Sequence, residues 1–77
     1  MTNHERFSLT FRHMGGKILE TKEIIRLLSN KYPEMKKGSM LPNDHAEGNK
    51  SSCWCAGTDK KIFNREKRGL YRVRTQI

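Results

Sequence analysis

Acidic residues are scarce in this chain: eight Asp and Glu stand against sixteen Lys and Arg, for a net charge of +8. Long apolar runs are missing altogether. No stretch approaches the ~18 consecutive apolar residues that a membrane-spanning helix requires, and "MTNHERFSLTFRHMGG" lacks an apolar core of signal-peptide length. The expectation is therefore a soluble, cytoplasmic protein with no membrane partner. Cysteine is confined to Cys53 and Cys55, with only Trp54 between them, which excludes a framework of disulfide-closed loops. Both are expected as reduced thiols. With 77 residues, 34% of them hydrophobic, the chain makes one small domain. Such a domain buries about 60% of its unfolded surface, too little for a large active-site cleft.

What the chain does have is positive charge, unevenly placed. Residues 1–48 carry eight basic and six acidic side chains, whereas residues 49–77 carry eight basic and two acidic, a net of +6. The densest stretch, "KKIFNREKRGLYRVR", holds seven of the sixteen basic residues. Clustering of this kind suits a polyanionic partner, because each neutralised phosphate releases counterions and adds salt-dependent affinity. A basic face kept for solubility accounts for the total charge but not for its clustering.

Along the chain, residues 1–16 read as an N-terminal arm. Phe7 and Phe11 are four apart, on one face of a short helix from about Glu5, and Gly15-Gly16 forms a joint. "ETKEIIRLLSNKYP" predicts a helix capped by Thr21, with Ile24, Leu27, Leu28 and Tyr32 as its apolar stripe and Pro33 as its stop. Lys22, Arg26 and Lys31 fall off that stripe. "SMLPNDHAEG" reads as a second, shorter helix with Ser39 as N-cap, Pro42 in the first turn and Gly48 at the end. Met40 and Leu41 would pack on the first helix. The C-terminus predicts a hairpin turning at Gly69, with Tyr71, Val73 and Thr75 on one face and Arg72, Arg74 and Gln76 on the other. The fold class is α+β: a small winged helix-turn-helix-like domain over residues 17–77, with two or three helices followed by a hairpin wing. A third helix would come from residues 5–14 or 49–57.

A helix ending in "KYP", then "GSMLPNDH", a following Asn49, and "IF" leading into "RGLYRV" together resemble the small winged-helix domains appended to bacterial and phage HNH or restriction-type endonucleases. The likeness spans roughly Ile18 to Arg74, with "CWCAG" outside it. It implies a DNA-binding module of bacterial or phage origin, here without a nuclease domain. By that resemblance Ser39, Pro42, Asp44 and His45 shape the second helix, and Phe63, Gly69 and Tyr71 the hairpin.

The expected contacts to duplex DNA are Ser39, Asn43, His45 and Lys50 from the second helix, entering a groove. Arg65, Lys67, Arg68, Arg72 and Arg74 of the hairpin would lie on phosphates, arginine being able to fork onto phosphate or guanine. A second copy of the chain would extend so small an interface. The competing expectations are an interaction module or inhibitor docking an acidic surface of a host complex, and RNA binding. Catalysis is not expected. Asn43-Asp44-His45 has the residue types of a nuclease motif, but His4 and His13 lie in the arm. Cys53 and Cys55 with His45 or His13 are zinc's ligand types, yet paired zinc cysteines usually stand two to four apart. Buried thiols and no cofactor are expected instead. Trp54 is expected in the core rather than as a base-stacking platform.

Overall fold

The computed structural model describes residues 1–47, 54–58 and 60–75. Helix α1 spans Asn3–Phe11. Thr2 caps it in a reciprocal box: the Glu5 N–H donates to Thr2 Oγ1 at 3.1 Å, and the Thr2 N–H donates to Glu5 Oε1 at 3.0 Å. Strand β1, Ile18–Glu20, leads directly into helix α2, Thr21–Lys31. Two 3₁₀ turns follow, Lys37–Ser39 and Pro42–His45, and then strands β2, Phe63–Lys67, and β3, Leu70–Val73. The three strands form one antiparallel sheet in the order β1-β3-β2.

Three features depart from the sequence-based expectation. The segment expected as an arm is part of the interior, because the i, i+4 spacing of Phe7 and Phe11 puts both rings, fully buried, against the sheet. Strand β1 is an addition to the expected elements; three residues are too few to display alternation, and Leu19 alone among them is buried. The second helix, expected to begin at Ser39, is replaced by the two 3₁₀ turns. Leu41 is extended (φ −74, ψ 116), as the residue before a proline is driven to be. A helix can therefore begin no earlier than Pro42, and Ser39 ends the first turn rather than capping a helix. Met40 is buried as expected, but Leu41 is exposed.

Helix α2 keeps its expected span almost to the residue. Glu20 occupies the N-cap position in place of Thr21, its N–H donating to Glu23 Oε1 at 3.3 Å. Ile24 and Leu28 are buried, while Lys22, Arg26 and Lys31 face water. The hairpin also forms. Gly69 turns it at φ +79, a left-handed conformation that other residues rarely adopt, and Tyr71 and Val73 are buried while Arg72 is exposed.

The core lies between the two α-helices and the inner face of the sheet. Phe7, Phe11, Ile24, Leu28, Met40, Ile62, Phe63 and Val73 are its most deeply buried apolar side chains. Its aromatic rings meet in sequence: Phe7 to Phe63 at 5.9 Å, Phe11 to Phe63 at 5.2 Å and Phe63 to Tyr71 at 6.0 Å, all edge-on. Edge-on pairing suits the ring quadrupoles and adds about 0.5–1.5 kcal/mol per pair beyond area burial. Trp54, expected in this core, is instead 64% exposed. Three phenylalanines already fill the space, and Trp54 lies in the turn beyond it. Among the described residues, no helix is long and apolar enough to cross a membrane.

Candidate functional site

Of the nine residues expected to meet DNA, the eight that are described do not form one surface. The hairpin register sets their directions. Ile18, Arg72 and Asn64 are cross-strand partners, and so are Leu19, Tyr71 and Arg65. Side chains directly across antiparallel strands share a face. Arg72 therefore stands on the outer face, and Arg65 leaves from the inner face at its rim, where its Nη1 pairs with Glu47 Oε2 at 3.4 Å. Arg72 is occupied as well: its Nε pairs with the Glu66 carboxylate and its Nη1 donates to the Gly16 carbonyl at 3.3 Å. Arg74 is half-buried and donates to the Lys61 carbonyl at 3.2 Å.

Lys67 and Arg68 are different. Lys67 is exposed at the tip of the hairpin with Arg68 beside it, and neither forms an ion pair with a described residue. The tip is fixed against the start of α2, the Thr21 N–H donating to the Gly69 carbonyl at 3.2 Å. Arg68, Gly69 and Leu70 share a shallow depression with Glu20, Thr21 and Lys22. The positive end of the helix dipole and two cations meet there. Glu20 is their counterweight, 3.4 Å from Lys22 Nζ.

The residues expected to enter a groove are placed otherwise. Ser39 and Asn43 lie on separate 3₁₀ turns, and Asn43 is half-buried. Asn43 Oδ1 is buried without a hydrogen-bond partner among the described residues. Lys50 lies outside the described residues, as do Gly48, Cys53 and Gln76. His45 is enclosed, being only 2% exposed. Its ring lies 4.0 Å from that of Phe7, and its carbonyl accepts the Ile62 N–H at 2.9 Å. Burial pushes its pKa down from 6.5 to about 4, with a further push from His4, so the imidazole is neutral at physiological pH.

Sequence reasoning set Cys55 beside His45 only in the zinc alternative, and missed His4. His4, in the first turn of α1, and Cys55 both turn towards His45. One ligand-type atom from each of the three residues lies within 4.8 Å of the others, and Cys55 Sγ is 3.5 Å from His45 Nδ1. The exposed Trp54 ring lies 4.9 Å from that of His4. A signal was available. His4, Phe7 and Phe11 stand at i, i+3 and i+7, so a helix that buries the two phenylalanines turns His4 inward too. His13, named in the sequence-based zinc alternative, is instead exposed beside Arg12.

No family model, curated protein or solved structure matches this chain.

Proposed function

We propose that this is a small nucleic-acid-binding module of winged-helix type that engages duplex DNA through its hairpin, binding and positioning without catalysing a reaction. The observation that carries the reading is the basic tip, Lys67 and Arg68, without an ion pair among the described residues and held at the N-terminus of α2 on a chain of net charge +8. Its support from topology is the chain order helix, strand, helix, turn region, hairpin, with the first strand beside the last. Winged-helix domains usually have a third helix; here the two 3₁₀ turns stand between α2 and the hairpin. On this reading the groove-facing role stays with the stretch after α2, although Asn43 is half-buried and His45, being enclosed, has no part in it. Ser39 sits at the edge of that stretch.

The hairpin divides its labour on this reading. Arg65 and Arg72, each paired with a glutamate, shape the wing, whereas Lys67 and Arg68 bind phosphates. Surface ion pairs of this sort are worth about 0–1 kcal/mol, so their role is orientation more than stability. Affinity for a random duplex, measured across a salt series, should fall steeply as salt rises. The double substitution Lys67→Ala, Arg68→Ala should flatten the dependence of log K on log salt by about two, one for each phosphate no longer neutralised. Absence of binding to duplex DNA at low salt would refute the reading. A preference for structured RNA in competition would move the same hairpin to RNA.

A further inference from the structure

Three residues far apart in sequence bring a thiol and two imidazoles to one point beneath the surface. Position 4 belongs to α1, position 45 to the end of the second 3₁₀ turn, and position 55 to the turn before β2. Each is fixed by its own backbone contacts. α1 is set by the Thr2–Glu5 capping box. The Ile62 N–H and Gly57 N–H bind the carbonyls of His45 and Ala46 at 2.9 and 2.8 Å. The Cys55 carbonyl accepts from Thr58, at 3.1 Å from its N–H and 2.6 Å from its hydroxyl.

The separation of the donors is informative. Zinc takes thiolate sulfur at about 2.3 Å and imidazole nitrogen at about 2.0–2.1 Å in tetrahedral geometry, which sets neighbouring S and N ligand atoms about 3.5–3.6 Å apart. Cys55 Sγ and His45 Nδ1 are 3.5 Å apart, and the whole triad of donor atoms lies within 4.8 Å. We propose that His4, His45 and Cys55 are three ligands of a structural zinc ion that ties α1 to the two turns preceding the sheet. These three donors leave one position of a tetrahedral site to be filled. Such a site would act as a cross-link between α1 and the turns, with the Trp54 ring beside His4. The site is independent of the hairpin, and its presence or absence does not bear on the DNA reading.

The whole chain, purified under reducing conditions without added chelator, should contain about one zinc per molecule by elemental analysis. Exchange for Co²⁺ should produce a thiolate-to-metal charge-transfer band and the visible absorption of a tetrahedral site. It should also quench Trp54, the only tryptophan, because its ring adjoins His4. These readouts need no variant, so a variant that failed to fold would not leave the proposal without a test. Cys55→Ser should abolish the charge-transfer band. His4→Ala should weaken metal binding by more than the ~10–100-fold that loss of an outer-shell partner costs. His13→Ala, outside the cluster, should change neither. A metal-free chain that takes up no Co²⁺ would mean that Cys55 and His45 share only a thiol–imidazole hydrogen bond, and would overturn the proposal. So would a charge-transfer band that survives Cys55→Ser and vanishes in Cys53→Ser.

Discussion

Phe7 is the side chain on which the interior converges. It is fully buried, stacks on His45 at 4.0 Å, and meets Phe11 at 6.1 Å and Phe63 at 5.9 Å. Truncation to alanine would remove a ring that α1, the second 3₁₀ turn and the sheet all touch, leaving a cavity that none of the three can close alone. Phe7→Ala should therefore cost about 3–5 kcal/mol. That is a large part of the ~5–15 kcal/mol that stabilises a typical domain. Urea unfolding followed by circular dichroism should show the midpoint falling sharply, or no folded baseline at all. A shift below about 1 kcal/mol would mean that Phe7 is not in the core. At this scale, legibility in the sequence depends on periodicity. Phe7 and Phe11 are readable as one helical face, and Ile24 and Leu28 as another. The exposure of Trp54 is not readable, because the prior that tryptophan is buried in a small domain carries no knowledge of which rings have already filled the space. His45 misleads for a related reason: beside Asn43 and Asp44 it looks like surface chemistry, and only packing against Phe7 makes it an interior residue.

Elements with a strong local code form where the sequence places them, and those that depend on a partner do not. Helix α2 has a stripe, an acidic first turn and a proline stop, three signals in agreement. The hairpin has alternation around a glycine. Strand β1 exists because β3 is beside it, with Leu19 opposite Tyr71; no local pattern in three residues could announce it. The stretch from Ser39 to Glu47 fails as a helix because a single constraint, the extended residue before Pro42, outweighs a favourable N-cap. The hairpin's own constraint can be tested in isolation. A Cβ at Gly69 would meet nothing within 4 Å, so the only obstacle to a side chain is the φ of +79. Gly69→Ala should then destabilise by about 1–2 kcal/mol, the cost of left-handed backbone, without disturbing packing. Gly69→Asn should lose less, since asparagine tolerates that conformation better. Thermal unfolding would read the loss. Faster amide exchange at Thr21, whose N–H binds the Gly69 carbonyl, would locate it at the tip. Equal stability of the glycine and alanine forms would show that the turn is not left-handed.

At the scale of the whole molecule, the question is where the folding unit begins. The sequence suggests an arm at residues 1–16 and a domain from residue 17, because the Gly15-Gly16 pair looks like a joint. In the structure that joint is packed: the Gly16 N–H donates to the Val73 carbonyl at 2.7 Å, and a Cβ at Gly15 would come within 3.0 Å of Thr75 Cα. The glycines allow close approach to the end of β3 rather than free movement. Residues 1–16 also supply Phe7 and Phe11, two of the largest fully buried side chains. Each loss is worth about 3–5 kcal/mol by the usual cost of removing a buried phenylalanine, and together they match the stability of a whole domain. The fragment 17–77 should therefore lack a cooperative thermal transition and show collapsed amide dispersion in its NMR spectrum, while the whole chain unfolds in one step. A fragment with a sharp transition and a dispersed spectrum would restore the arm to the periphery. If the fragment is unfolded, addition of a peptide of residues 1–16 should recover dispersion, because a helix with its own capping box and both rings on one face carries the missing half of the core.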